Sequence, residues 1–137
     1  MWIVYALLAA VFAATTSILS KIGLSGVNSN VAVAIRTTVV LVMAWTMVFI
    51  TGTAKELPQV SGRSFLFLGL SGISTGVSWY FFFRALSIGD ASRVAGIDKF
   101  SVVITMVLAY FFLGEVLSLK AIIGGVLITV GTILLVF

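Results

Sequence analysis

The sequence predicts an all-α integral membrane protein with five transmembrane helices, and three observations carry that reading. Of 137 residues, 61% are apolar and 9% charged, with a mean hydropathy of +1.29, whereas a water-soluble domain keeps about 25% charged residues to hydrate its surface. The apolar residues gather in runs close to the roughly 20 that a helix rising 1.5 Å per residue needs to cross a hydrocarbon core about 30 Å thick. These runs are continuous rather than alternating and about twice the length of a membrane strand, which excludes a β-barrel. Helices follow because a backbone group left unsatisfied in lipid costs several kcal/mol.

By length the spans fall at about 2–20, 31–50, 65–83, 93–113 and 119–137, with links at 21–30, 51–64, 84–92 and 114–118 rich in Gly, Ser, Asn or charge. One domain of residues 1–137 is expected, with no room for a soluble one. The first span lacks a basic leader and reaches Lys21 only after 20 residues, so it reads as a retained helix rather than a cleaved signal. Its Ala10, Ala13, Ala14 and Ser17 line one face. The second span carries Arg36 near its start, flanked by Thr37 and Thr38. The third has Gly69, Gly72 and Gly76 along one face, with Ser71, Thr75 and Ser78 beside them, and ends in the run Trp79 to Phe83. Glycines spaced this way let membrane helices approach closely, so Gly72, Gly76, Gly125 and Gly131 are expected to pack helices within the bundle or to mediate dimerisation.

In the fourth span, helical periodicity places Ser101 and Thr105 on the face of Asp98, and Lys99 on an apolar stripe from which it is expected to snorkel to the interface. Gly114 lets the chain turn, Glu115 reads as a solvated loop carboxylate and Ser118 as the N-cap of the fifth helix. Asp90 reads as a turn residue.

The chain has no Cys and no His, which removes disulfides, thiol chemistry, Cys/His metal sites and the usual general base. No cofactor or metal is expected. No set of nucleophile, base and orienting group can be assembled, so the protein is not expected to be an enzyme. Eight basic residues against four acidic give a net charge of +4, but they lie singly between apolar runs and mark membrane topology rather than nucleic-acid binding. With five spans, Lys55, Arg63 and Lys120 fall on one side, and Lys21, Arg84 and Arg93 on the other, with Arg36 and Lys99 a few residues inside. That balance sets no firm orientation and is what insertion both ways round would require.

Arg36 and Asp98 are the ionisable residues at membrane depth, where each costs about 2.5–3.5 kcal/mol on insertion scales and where such residues are usually functional. Both lie roughly 7–9 Å below the same membrane face. Ser17, Ser78, Trp79 and Tyr80 come to the same half of the membrane. Together these residues make a candidate site for substrate binding or coupling: Arg36 to hold a carboxylate or phosphate, Asp98 to exchange a proton. The competing structural reading is an Arg36–Asp98 pair that orients helices, with Trp79 to Phe83 as an aromatic belt at the headgroups.

Ala85-Leu86, Gly89 to Ala95, Ile97-Asp98-Lys99 and Phe112-Leu113-Gly114-Glu115-Val116-Leu117-Ser118, followed by a Gly-rich last helix, resemble the EamA domain of the drug/metabolite transporter superfamily. The resemblance covers nearly the whole chain. Family members often have proline about where Gly96 stands, and Gly96 is expected to keep a local bend. The last helix also resembles small multidrug resistance transporters, which pair through a motif that Gly125, Leu127, Ile128 and Gly131 match in spacing. Those proteins carry a glutamate in their first helix; the first span here has no acid, which argues against that device unless Asp98 takes the role. Most EamA-type proteins fuse two such five-helix units in inverted orientation. A single unit therefore implies a second chain, most simply a homodimer of antiparallel copies inserted both ways round. The function expected is that of a membrane transporter subunit in the cell membrane, moving a small metabolite or drug-like solute, with the lipid bilayer, the solute and a second copy as partners. The alternatives are an accessory subunit of a lipid-carrier flippase and a multidrug cation exporter.

Overall fold

The computed structural model describes all of residues 1–137 and contains helices without strands. Helix α1 runs Trp2–Gly23, α2 Ser29–Ile50, α3 Gly62–Ile88, α4 Ala91–Asp98, α5 Ser101–Leu108 and α6 Leu119–Val136. A 3₁₀ segment, Thr53–Gln59, follows α2, and a π turn, Ala109–Leu113, ends the helical run begun by α4 and α5. Five stretches are long and apolar enough to cross a membrane: α1, α2, α3, Ala91–Leu113 and α6.

The ends of these helices follow from local chemistry. Asn28 caps α2, its side-chain oxygen accepting the Asn30 N–H at 2.9 Å. Ser118 caps α6 by accepting the Ala121 N–H at 3.2 Å. Gly114 sits at φ 67°, a left-handed conformation open to glycine, and so closes the π turn. Hydroxyls inside the helices donate to the carbonyl four residues back, as Thr15, Ser17, Thr37, Thr38, Thr46 and Thr75 do. A medium without water leaves them no better partner.

Two differences from the expected spans matter for function. The helix α3 continues to Ile88, so the link to α4 shrinks to Gly89 and Asp90 instead of 84–92. The fourth span is not one continuous helix. It breaks at Lys99 and Phe100, where N–H groups bond to carbonyls three residues back: Lys99 to Gly96 at 3.2 Å, Phe100 to Ile97 at 2.9 Å, and Val102 to Lys99 at 3.0 Å. This tighter winding separates Asp98, at the end of α4, from Ser101 and Thr105 on α5.

The chain folds as two compact units, residues 20–87 and residues 1–19 with 88–137. In the second of these, α6 packs against both α4 and α5. An added Cβ at Gly96 would lie 2.7 Å from Leu135 Cδ1, and Thr132 donates its hydroxyl to the Gly96 carbonyl at 3.3 Å. Gly125 takes the Met106 side chain, 3.5 Å from where its Cβ would be. The Gly96 position thus stands at a helix interruption, without proline, and its missing side chain admits α6.

Candidate functional site

Residues 20–87 gather their buried side chains at one end, where α1 finishes, α2 begins and α3 finishes. Leu24, Ser29, Phe83 and Leu86 are buried, Leu86 completely. Lys21 donates its ammonium to the Leu86 carbonyl at 2.7 Å. A cation on a last-turn carbonyl satisfies an acceptor that the helix leaves open and favours the negative end of its dipole. This contact ties the end of α1 to the last turn of α3 and leaves Lys21 part-buried rather than in a solvated link.

Arg36 lies about 10 Å along α2 from Ser29, at 1.5 Å per residue. Its guanidinium carbon sits over the Trp79 ring at 4.0 Å from the centroid and 5.6 Å from that of Phe83. Trp79 and Phe83 are four apart on α3 and so share a face, which turns toward α2. Phe83 is 2% exposed and Trp79 half-buried, both turned toward Arg36. Tyr80 and Phe81 do face outward, their rings edge-to-face at 5.2 Å. Phe83 was not singled out from the sequence, although its spacing from Trp79 was the available signal.

The other polar candidates are differently placed. Ser17 donates to the Ala13 carbonyl at 3.0 Å, and Ser78 is exposed on α3. Thr37 and Thr38 spend their hydrogens on Val33 and Ala34, at 2.8 and 3.0 Å. In the other unit, Asp98 ends α4 with its carboxylate 3.8 Å from the Lys99 ammonium. Lys99 thus pairs with its neighbour, both being well exposed. Ser101 and Thr105 lie beyond the break, on α5.

Within their own units, Gly72, Gly76 and Gly131 present open faces, with nothing inside 4 Å of an added Cβ. Gly125, by contrast, is covered by Met106 of its own chain and contributes to a cavity of about 280 Å³. Val103, Ile122 and Val126 line the cavity with Thr129, whose hydroxyl donates to the Gly125 carbonyl at 2.9 Å. That space offers no free polar anchor; the Arg36 cluster does.

Comparison with known proteins adds two matches to this geometry. A family model described as EamA-like transporter family matches residues 1–137. A protein of Sinorhizobium sp named "Uncharacterized transporter in cobO 3'region" is 44% identical over 134 residues, which is 98% of this chain and 95% of that relative. No solved structure matches.

Proposed function

Because the chain belongs to the EamA-like transporter family, we propose that this multi-pass membrane protein is one subunit of a secondary transporter, that a small solute passes Arg36, and that a second copy in opposite orientation completes the pathway. The observation carrying this reading is Arg36 itself. A guanidinium inside a span, resting on aromatic rings with no acidic partner in its own unit, is an expensive group held ready for something other than the fold.

Support for a second copy comes from the architecture of transport. Alternating access uses two repeats that rock about a site near the bilayer midplane. Five helices are long and apolar enough to cross a membrane, and across them the basic residues divide three against three, or three against five with Arg36 and Lys99, a weak bias that favours insertion both ways. Asp98 beside the break between α4 and α5 is the group proposed to load and release a proton as the solute moves.

Purified protein in liposomes, given a panel of labelled anionic, neutral and cationic organic solutes, tests the reading. Uptake is expected to fall strongly in Arg36→Ala and to lose its dependence on a pH gradient in Asp98→Asn. Uptake unchanged in both variants refutes the roles assigned to them. A C-terminal reporter read from both sides of the membrane, with crosslinking of the pair, tests the antiparallel arrangement; signal on one side alone rejects it.

A further inference from the structure

Within residues 20–87 the charges at the Arg36 end are all of one sign. Lys21, Arg36 and Arg84 lie there, while the single acid of that unit, Glu56, belongs to the 3₁₀ segment beyond the opposite end of α2, about 20 Å further along the helix axis. The Lys21 ammonium is engaged by the Leu86 carbonyl. Arg36 differs, because its partners are rings. An aromatic face attracts the cation but accepts none of its N–H groups in ordinary hydrogen bonds, so the planar fork of five donors remains available. A carboxylate or phosphate matches that fork with two parallel hydrogen bonds.

The surroundings narrow the ligand further. The hydroxyl hydrogens of Thr37 and Thr38 are committed to their own helix, so the cluster provides one charged fork, aromatic surface and few other donors. A sugar or polyol, whose many hydroxyls each need a partner when taken from water, is badly served there. A free inorganic ion likewise gives up its hydration for a single contact. An acid joined to an apolar body replaces water on both counts, burying the body against the part of Trp79 left open while the fork holds the charge.

We infer that Arg36 and Trp79, backed by the buried Phe83, form a binding site for an amphiphilic organic anion, its carboxylate or phosphate held by the guanidinium and its apolar body laid against the indole. This deepens the transport reading, on which it rests for the solute's passage, by assigning the solute a chemical class. Lipid headgroups carry the same phosphate chemistry, so the source of the anion is part of the test.

The full chain has three tryptophans, and Trp2→Phe with Trp45→Phe leaves Trp79 as the sole emitter. In phosphatidylcholine nanodiscs this protein is titrated with phenylacetate, phenyl phosphate, the neutral phenylacetamide and inorganic phosphate. Both aromatic anions are expected to change Trp79 emission saturably, with phenylacetamide and inorganic phosphate at least about tenfold weaker, the order expected when a charge-assisted contact or the apolar body is missing. Arg36→Lys, which keeps the charge and loses the fork, is expected to weaken the anions by about tenfold or more, and Arg36→Gln to abolish the response. Circular dichroism checks that the variants keep their helices. Equal response to the amide, or an anion response that survives Arg36→Gln, overturns the assignment. An Arg36-dependent change on replacing the lipid by phosphatidylglycerol, with none from the two aromatic anions, assigns the charge to a headgroup and overturns the solute. Anion binding without uptake removes the transport reading and leaves the site, whereas uptake of neutral solutes without anion binding does the reverse.

Discussion

At the scale of single residues, Gly96 shows how little space separates a helix contact from a clash. The far end of Leu135 lies 2.7 Å from the position of a Cβ at Gly96, so a methyl group displaces a flexible tip and a branched side chain displaces more. Gly96→Val is expected to destabilise by about 1–3 kcal/mol through overpacking, with Gly96→Ala milder. Thr132→Val removes the hydroxyl that bonds the Gly96 carbonyl and is expected to cost about 0.5–1.5 kcal/mol. Unfolding of the variants in detergent, followed by circular dichroism, checks both. The same scale separates Arg36 from the hydroxyl-bearing residues considered with it. Composition places all of them at one depth, but hydrogen-bond partners decide which have donors to spare. Thr37 and Thr38 have spent theirs, and Arg36 has not. That distinction is invisible in a list of residue types.

At the scale of elements, length and hydropathy suffice to locate five helices, because each apolar run must match the bilayer and close its own backbone bonds. The turn at Gly114 and the cap at Ser118 were legible for the same local reason: each rests on its own residue's conformational or capping preference. The break at Lys99 and Phe100 was not. Residues 97–104 read Ile-Asp-Lys-Phe-Ser-Val-Val-Ile, without glycine or proline, and nothing in that run demands an interruption. The Gly96 carbonyl, by contrast, receives both the Lys99 N–H and a hydroxyl from α6, a partner distant in sequence. The last turn of α3 likewise carries a contact from a distant partner, Lys21 reaching the Leu86 carbonyl from 65 residues away. At this scale Gly114→Ala is expected to cost about 1–2 kcal/mol, the penalty of a left-handed conformation for a residue with a Cβ. Ser118→Ala is expected to cost about 1 kcal/mol, and thermal unfolding of each variant measures it.

At the scale of the whole molecule, orientation and pairing become experimental variables. Additional lysines in the link before α2 and, separately, in the link between α2 and α3 are expected to bias insertion in opposite directions. Each biased variant alone is expected to lose uptake, and the two expressed together to recover it; full activity in either one alone contradicts the antiparallel pair. The helices also differ in length. At 1.5 Å per residue, the 27 residues of α3 span about 40 Å and the 22 of α2 about 33 Å. A hydrocarbon core about 30 Å thick fits α2 nearly upright but not α3, so the longer helix tilts or carries its ends outside. Lipid thickness thereby becomes an input to the protein. Uptake is expected to be slower in bilayers of shorter acyl chains, which deepen the mismatch of α3, and faster in longer-chain bilayers, which relieve it. A cell that adjusts its acyl composition would retune this protein without any change in its amount.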